Sequence, residues 1–412
     1  MLKRIAVSEL RIGMFIDELC GSWMEHPFWR TRFALKEASD VDRIVASGIQ
    51  EVWIDTDKGR DADAVAARAS SRAEAEAEIE RKLESAADTP SRAADHSVFS
   101  EELERAQAVT ARARPAVMSM FGEARMGRAI GSEVAADLVE DIYQSVQRNT
   151  SALISLSRLK RADDYTYMHS VAVSALMIAL CKQLGLNEEQ TREAGMGGLM
   201  HDIGKAKIPD RILRKPDKLT DEEWVKMKSH PELGHSILSQ GTYGPIPMDV
   251  VLHHHEKVDG TGYPHRLAGD SISLFARMAS VCDVYDAVTS NRPYKAGWAP
   301  AEAVRKMAEW VPGHFDEKIF QAFVKTVGIF PVGTLVKLQC NRLGVVVEHN
   351  ERALLKPKVK LFFSIPSQSR IPPELVDLAD PHTSHRIVGR EDPAAWGLTR
   401  IDEIWTGQTV RA

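Results

Sequence analysis

Seven candidate metal ligands punctuate this chain at nearly even steps: His169, the pair His201-Asp202, His230, the pair His254-His255, and Asp283. The steps are 32, 29, 24 and 29 residues, each about one helix-turn-helix. A chain brings such groups to one point when each helix of a bundle projects one or two of them inward. Five imidazoles and two carboxylates exceed the needs of one divalent ion. They suit two ions that share a bridging carboxylate, an arrangement used in hydrolysis, with a phosphodiester the first substrate to consider.

The surrounding pattern is helical. Val134-Ala135-Leu138-Val139-Ile142, Val171-Ala175-Ile178 and Ala276-Ala279-Val281-Val284-Val288 follow helix spacing. Asn187 before Glu188-Glu189, and Thr220 before Asp221-Glu222-Glu223, read as helix starts. Pro209, Pro216, Pro245 and Pro247 fall between helices. Residues 122–330 are therefore expected to form an all-α bundle.

Elsewhere the pattern changes. Residues 1–58 mix strand-like runs (Ile5–Val7, Met14–Ile16, Glu51–Asp55) with a helix over Glu37–Ala46, which predicts a small α/β domain. Residues 59–121 are rich in Ala, Glu and Arg and read as an exposed helical linker; a homodimer contact is the alternative. From 331 to 412 the period approaches two, in Leu335–Leu338, Gly344–Glu348 and Val359–Phe363, which predicts a small β-rich appendage. The expected fold class is multidomain α+β.

Composition excludes several classes. A net charge of −5 gives no electrostatic case for a nucleic-acid polymer as partner. Four scattered cysteines without a CxxC read as reduced thiols of a cytoplasmic protein. The start, MLKRIAVSELRIGMF, lacks the apolar core of a signal peptide, and no apolar run is expected to reach membrane-span length.

Asp283 lies among apolar helix residues, where a carboxylate is costly unless paired or metal-bound. Asp286, one turn on, is read as a support for a ligand, with direct ligation as the alternative. His230 is placed at the end of the helical run Trp224–Ser229, and His253 at an exposed helix end. Asp259-Gly260-Thr261-Gly262-Tyr263-Pro264 forms a tight turn beside the ligands, in which Asp259 orients a histidine or caps the turn. Gly260 and Gly262 would let backbone N–H groups approach a phosphate. Lys205, Arg292 and Lys295 are the cations near this centre, and together they read as a phosphate clamp.

At these motifs the chain resembles the HD-GYP family of the HD phosphohydrolase superfamily. The matching residues are His201-Asp202-Ile203-Gly204-Lys205, His254-His255-Glu256, Asp259 through Pro264, Asp283-Val284-Tyr285-Asp286-Ala287, and Arg292-Pro293-Tyr294. Leu10-Arg11-Ile12-Gly13-Met14 and His26-Pro27-Phe28 resemble a domain often found upstream of such modules. The resemblance implies hydrolysis of cyclic di-GMP to the linear dinucleotide pGpG, and onward to GMP. It implies metal ligands at His169, His201, Asp202, His230, His254, His255 and Asp283, and phosphate contacts at Lys205, Arg292 and Lys295. One ion falls to His169, His201, Asp202 and Asp283; the other to Asp202, His230, His254 and His255. Tyr165 stands where some members carry a glutamate for a third ion, so two are expected. The substrate set is Lys205, Gly260, Gly262, Tyr263, Arg292 and Lys295, with Asp202 and Lys205 catalytic. Ligation by His and carboxylate without thiolate favours Fe or Mn and leaves Zn open.

Two other readings compete. The large fraction outside the bundle suits a cyclic-dinucleotide sensor that signals to a protein partner. An HD hydrolase of another nucleotide shares the same phosphate machinery.

Overall fold

Ile5 and Val52 face each other across the antiparallel strand pair that organises the start of the chain. The structure, a computed structural model, describes residues 2–20, 32–47, 49–62, 70–87, 97–159, 165–215, 217–291, 297–311, 313–350 and 353–407. The chain divides into two compact units, Met1–Glu84 with Arg305–Pro312, and Ser85–Val304 with Gly313–Ala412.

In the first unit, strands β1 (Leu2–Ala6), β2 (Phe15–Cys20), β3 (Phe33–Ala34), β4 (Glu51–Asp55) and β5 (Ser70–Ser71) form one antiparallel sheet in the order β3-β2-β4-β1-β5. Strand alternation turns Ile5, Ile16, Val52 and Ile54 inward, where helix α1 (Ala38–Ala46) adds Ile44. The expected α/β character is present. His26-Pro27-Phe28 lies outside the described residues. Helix α2 (Arg72–Ala87) follows the sheet.

The second unit is a helical bundle with a sheet after it. Its helices are α3 (Phe99–Met126), α4 (Ser132–Arg148), α5 (Thr150–Ser157), α6 (Tyr165–Leu184), α7 (Glu188–Met200) and α8 (Asp210–Leu213). They continue with α9 (Asp221–Met227), α10 (His230–Leu238), α11 (Pro245–His253) and α12 (Leu274–Thr289), then α13 (Pro300–Glu309), whose residues from Arg305 onward belong to the first unit, and α14 (Glu317–Val327). Asn187 and Thr220 close capping boxes with Gln190 and Glu223 at the starts of α7 and α9. Helix α6 packs against α3, α4, α5, α7, α12 and α14, so it is buried on all sides.

Two expectations change here. The span Thr166–Leu184 within α6 is long and apolar enough to cross a membrane, contrary to the reading that no run reaches that length. Most of it is buried inside the bundle, and a core helix needs an all-round apolar surface for that reason. The boundary expected at 121/122 falls inside α3. Ala106, Val109, Ala113, Val117, Met120 and Ala124 form a stripe of mostly small residues that enters the bundle core. The Arg and Glu residues between them give the segment its linker-like composition.

Strands β6 (Leu335–Leu338), β7 (Arg342–Glu348), β8 (Lys358–Ser364), β9 (Ser369–Asp377) and β10 (Ile387–Arg390) form a second antiparallel sheet, ordered β10-β6-β7-β8-β9. Its core joins Leu335, Leu343, Val345 and Phe362 to Phe99 and Leu103 of α3. The architecture is multidomain α+β.

Candidate metal centre

Helix ends deliver most of the centre. His169 lies one turn into α6, and Asp283 sits within α12. His201 caps α7, and Asp202 begins the 3₁₀ turn Ile203–Lys207. His254 and His255 follow directly on α11. His230 does not end a helix, as its sequence neighbours suggested; it opens α10, with Pro231 in the first turn. Proline suits that place because a first-turn N–H has no intrahelical partner to lose. Gly204 allows the two ligand segments to touch, since a Cβ there would lie 1.9 Å from the His230 carbonyl oxygen.

The seven side chains meet in two adjoining groups. Ligand atoms of Asp202, His230, His254 and His255 all lie within 4.8 Å of one another, as do those of His169, His201 and Asp283. Asp202 spans the groups. Its Oδ2 is 3.4 Å from His201 Nε2, and its Oδ1 is 3.3 Å from His230 Nε2. Asp283 also spans them, with Oδ1 at 2.9 Å from His169 Nε2 and Oδ2 at 3.7 Å from His255 Nδ1.

Hydrogen bonds behind the rings fix their orientation. His201 Nδ1 donates to Gly198 O at 2.8 Å, His230 Nδ1 to Met227 O at 2.8 Å, and His254 Nδ1 to Val251 O at 3.0 Å. His169 Nδ1 is held by Asp286 Oδ2 at 2.6 Å, the supporting place anticipated for that carboxylate. With Nδ1 carrying the proton, each Nε2 lone pair points inward. His201 and His169 Nε2 then stand 3.3 Å apart, and His230 and His254 Nε2 3.2 Å apart. Two bare lone pairs at that separation repel, and a cation between them removes the repulsion.

Charge follows the same logic. Burial, reinforced by His201 and His230, pushes His254 down to about 3. Burial also lowers His230, and with His254 and His230 it holds His255 well below its ordinary value. Burial works against His201 too, but Asp202 and Asp283 outweigh it and raise that ring. Burial would lift both carboxylates, yet Lys205 and His201 hold Asp202 well below the usual range. His169, His255 and His201 do the same for Asp283. The two carboxylates are thus held ionised, and His230, His254 and His255 are held toward the neutral form. Asp202 Oδ1 is buried without a hydrogen-bond partner, an orphan acceptor that a cation would satisfy. The donor set fits divalent ions.

The substrate-side residues divide. Lys205 Nζ lies 2.5 Å from Asp202 Oδ2 and is partly exposed. The Tyr263 ring packs on His255 at 4.8 Å between centroids, and burial with the charges of Asp283 and Asp202 raises its phenol, which stays neutral. The backbone cradle expected at Gly260 is corrected: its N–H bonds Lys257 O at 2.9 Å, and Tyr263 N–H bonds His255 O at 3.2 Å. The glycines shape the loop instead. Gly260 adopts φ +78°, and a Cβ on Gly262 would meet Lys257 N at 2.4 Å. Asp259 Oδ1 accepts from Thr261 N at 2.9 Å, so of its two readings it takes the turn cap. Arg292, Lys295 and the Tyr165 side chain lie outside the described residues.

Sequence reasoning gave Glu256 no task. Its buried carboxylate accepts from His265 N at 2.7 Å and Leu267 N at 3.0 Å, pinning the far end of the Tyr263 loop. A glutamate between a histidine run and a glycine turn was the available signal. His253 belongs to neither ligand group and pairs with Asp249 at 2.7 Å and His265 at 3.0 Å.

Residues 2–135 match the family described as a domain of unknown function (DUF3391), and residues 133–319 match the HD domain. A cyclic di-GMP phosphodiesterase of Pseudomonas aeruginosa is 52% identical over 409 residues, which cover 99% of this chain and 96% of that protein. The cyclic di-GMP phosphodiesterase response regulator RpfG of Xanthomonas campestris pv. campestris is 38% identical over 179 residues, 42% of this chain and 47% of its own. A 3'3'-cGAMP-specific phosphodiesterase of Vibrio cholerae is 33% identical over 175 residues, 42% of this chain and 41% of its own. The HD match contains all seven candidate ligands, and the first of these relatives is similar along the full chain. This chain belongs to the HD-GYP family, cyclic-dinucleotide phosphodiesterases of the HD phosphohydrolase superfamily.

Proposed function

We propose that this enzyme hydrolyses cyclic di-GMP in the cytoplasm, opening one phosphodiester to give linear pGpG, with two divalent ions held by the seven clustered side chains. The observation that carries the reading is Asp202, whose two oxygens face different histidine groups and whose Oδ1 is buried without a partner. His169, His201, Asp202 and Asp283 would hold one ion; Asp202, His230, His254 and His255 the other. Divalent ions in such a site supply Lewis acidity, which lowers the pKa of water and offsets charge on the phosphate. Their identity is proposed as Fe or Mn, from the absence of thiolates in the donor set.

The chain's own groups do the rest. Lys205, tethered to Asp202, would present an ammonium to a non-bridging oxygen and is a candidate proton source for the leaving 3′-oxygen. Tyr263 walls the centre with a neutral ring beside His255. Gly260 and Gly262 keep that loop tight. Arg292 and Lys295 are proposed as further phosphate contacts from their place in the motif.

The test is metal analysis of protein purified without oxygen, paired with chromatography of the products from cyclic di-GMP. Two equivalents of Fe or Mn and release of pGpG are expected. Tight dinucleotide binding without turnover under Fe, Mn or Zn would show a sensor instead. Faster turnover of a hybrid cyclic dinucleotide would reassign the substrate.

A further inference from the structure

Ser273, Asp249, His253 and His265 form a hydrogen-bonded file, and none of them belongs to either ligand group. Asp249 and His253 stand one turn apart on α11 and so share a face. Asp249 Oδ1 is 2.7 Å from His253 Nδ1, and His253 Nε2 is 3.0 Å from His265 Nδ1. On the other side, Ser273 Oγ donates to Asp249 Oδ2 while it accepts from Ala276 N as the cap of α12. The file ties α12, which carries Asp283, and α11, which runs into His254 and His255, to the loop that carries Tyr263.

Donors and acceptors order themselves along it. Burial works against charge on Asp249, yet the bonds from His253 and Ser273 hold its carboxyl below the ordinary value, so it accepts. It takes the proton on His253 Nδ1, which leaves the Nε2 lone pair to accept from His265 Nδ1. Asp249 thereby orients His253 as Asp286 orients His169.

His265 is where the loop needs holding. Arg266 beside it has φ +56°, a left-handed backbone that a residue with a Cβ keeps only where its surroundings fix it. Around that turn, the His265 and Leu267 N–H groups both reach Glu256. The neck of the loop is closed by Gly269 N on Val258 O at 2.9 Å and by the bridge between Asp259 and Ala268. Among the described residues, the exposed His265 ring has His253 as its one hydrogen-bond partner.

We propose that His253, oriented by Asp249, is a positioning residue for the substrate: it holds His265 and thereby keeps Tyr263, two residues earlier, against His255. The inference rests on the reading of Tyr263 as a wall of the substrate site.

Steady-state kinetics with cyclic di-GMP, metal analysis and hydrogen–deuterium exchange of the full chain test it together. His253→Ala is expected to raise KM ~3- to 10-fold, the worth of one such bond, with the metal content unchanged. Exchange of the His265 and Leu267 amides should quicken by a similar factor. His265→Ala should match the change in KM, and the double variant should lose no more than either single one. His253→Gln, whose amide oxygen can accept from His265, should recover most of the loss. Unchanged KM or unchanged exchange in His253→Ala would overturn the assignment, as would additive losses in the double variant. A fall in metal content at constant KM would also overturn it, making His253 a support of His254 instead. Exchange needs no dinucleotide: if the wild-type chain fails to turn over cyclic di-GMP, the reaction proposed above falls, and the exchange rates alone decide whether His253 holds the loop.

Discussion

Asp286 Oδ2 stands 2.6 Å from His169 Nδ1, on the side of the ring away from Asp283, whose Oδ1 is 2.9 Å from Nε2. One turn of α12 thus grips both nitrogens of a single imidazole. Asp286 sets the tautomer that leaves Nε2 as the ligand atom. Asp286→Ala removes that restraint without touching the inner donors. Metal affinity and kcat are expected to fall ~10- to 100-fold, the usual cost of losing such a partner. Titration with Mn while turnover is recorded checks this; unchanged affinity would reassign Asp286 to helix packing.

The Asp202 carboxylate serves both histidine groups, whereas His254 faces one. Their substitutions should differ in kind. Asp202→Ala is expected to empty both sites and abolish turnover. His254→Ala should lower the stoichiometry from about two ions to about one, since three donors remain in the first group and Asp202 completes it. Elemental analysis of both variants distinguishes these outcomes. Equal loss in the two would mean that the centre fills as a single cooperative unit.

Gly204 carries a stability prediction. A methyl group there would lie 1.9 Å from the His230 carbonyl oxygen and 2.5 Å from Gly234 N, both backbone atoms that cannot rotate aside. Gly204→Ala should destabilise the bundle by ~3 kcal/mol, the upper range for overpacking. It should also weaken metal binding, because α10 must retreat with His230. Urea denaturation of the metal-free protein reads the first effect. A loss under ~1 kcal/mol would show that α10 shifts freely.

The bundle and the placement of the candidate ligands were legible because both rest on local chemistry. Helix periodicity and caps such as Asn187 and Thr220 are written in neighbouring residues. Asp283 was conspicuous because a carboxylate amid Val281, Cys282 and Val284 needs a partner. The extent of α3 was obscured because its buried face consists largely of small residues, which carry little periodic signal between arginines and glutamates. The helical run Trp224–Ser229 makes His230 look like a helix end, although the proline after it marks a helix start. The tasks of Glu256 and of the Gly260 N–H depend on which loop groups bond one another, and that is settled only by the folded turn.

Glu256 should separate substrate binding from chemistry. Its carboxylate closes the loop that carries Tyr263 by accepting from His265 N and Leu267 N. Hydrogen bonds from neutral donors to a buried carboxylate contribute about 1.5–3 kcal/mol each. Glu256→Ala leaves two backbone N–H groups without their acceptor and frees the loop, while His254 Nδ1 keeps its carbonyl partners on α11. KM for the dinucleotide is expected to rise ~10-fold with metal content unchanged, because the binding wall must be ordered anew on each encounter. Glu256→Gln, which keeps one acceptor oxygen, should fall between the two. Steady-state kinetics with parallel metal analysis decide the matter: a fall in metal content at constant KM would place Glu256 in support of the histidines rather than the loop.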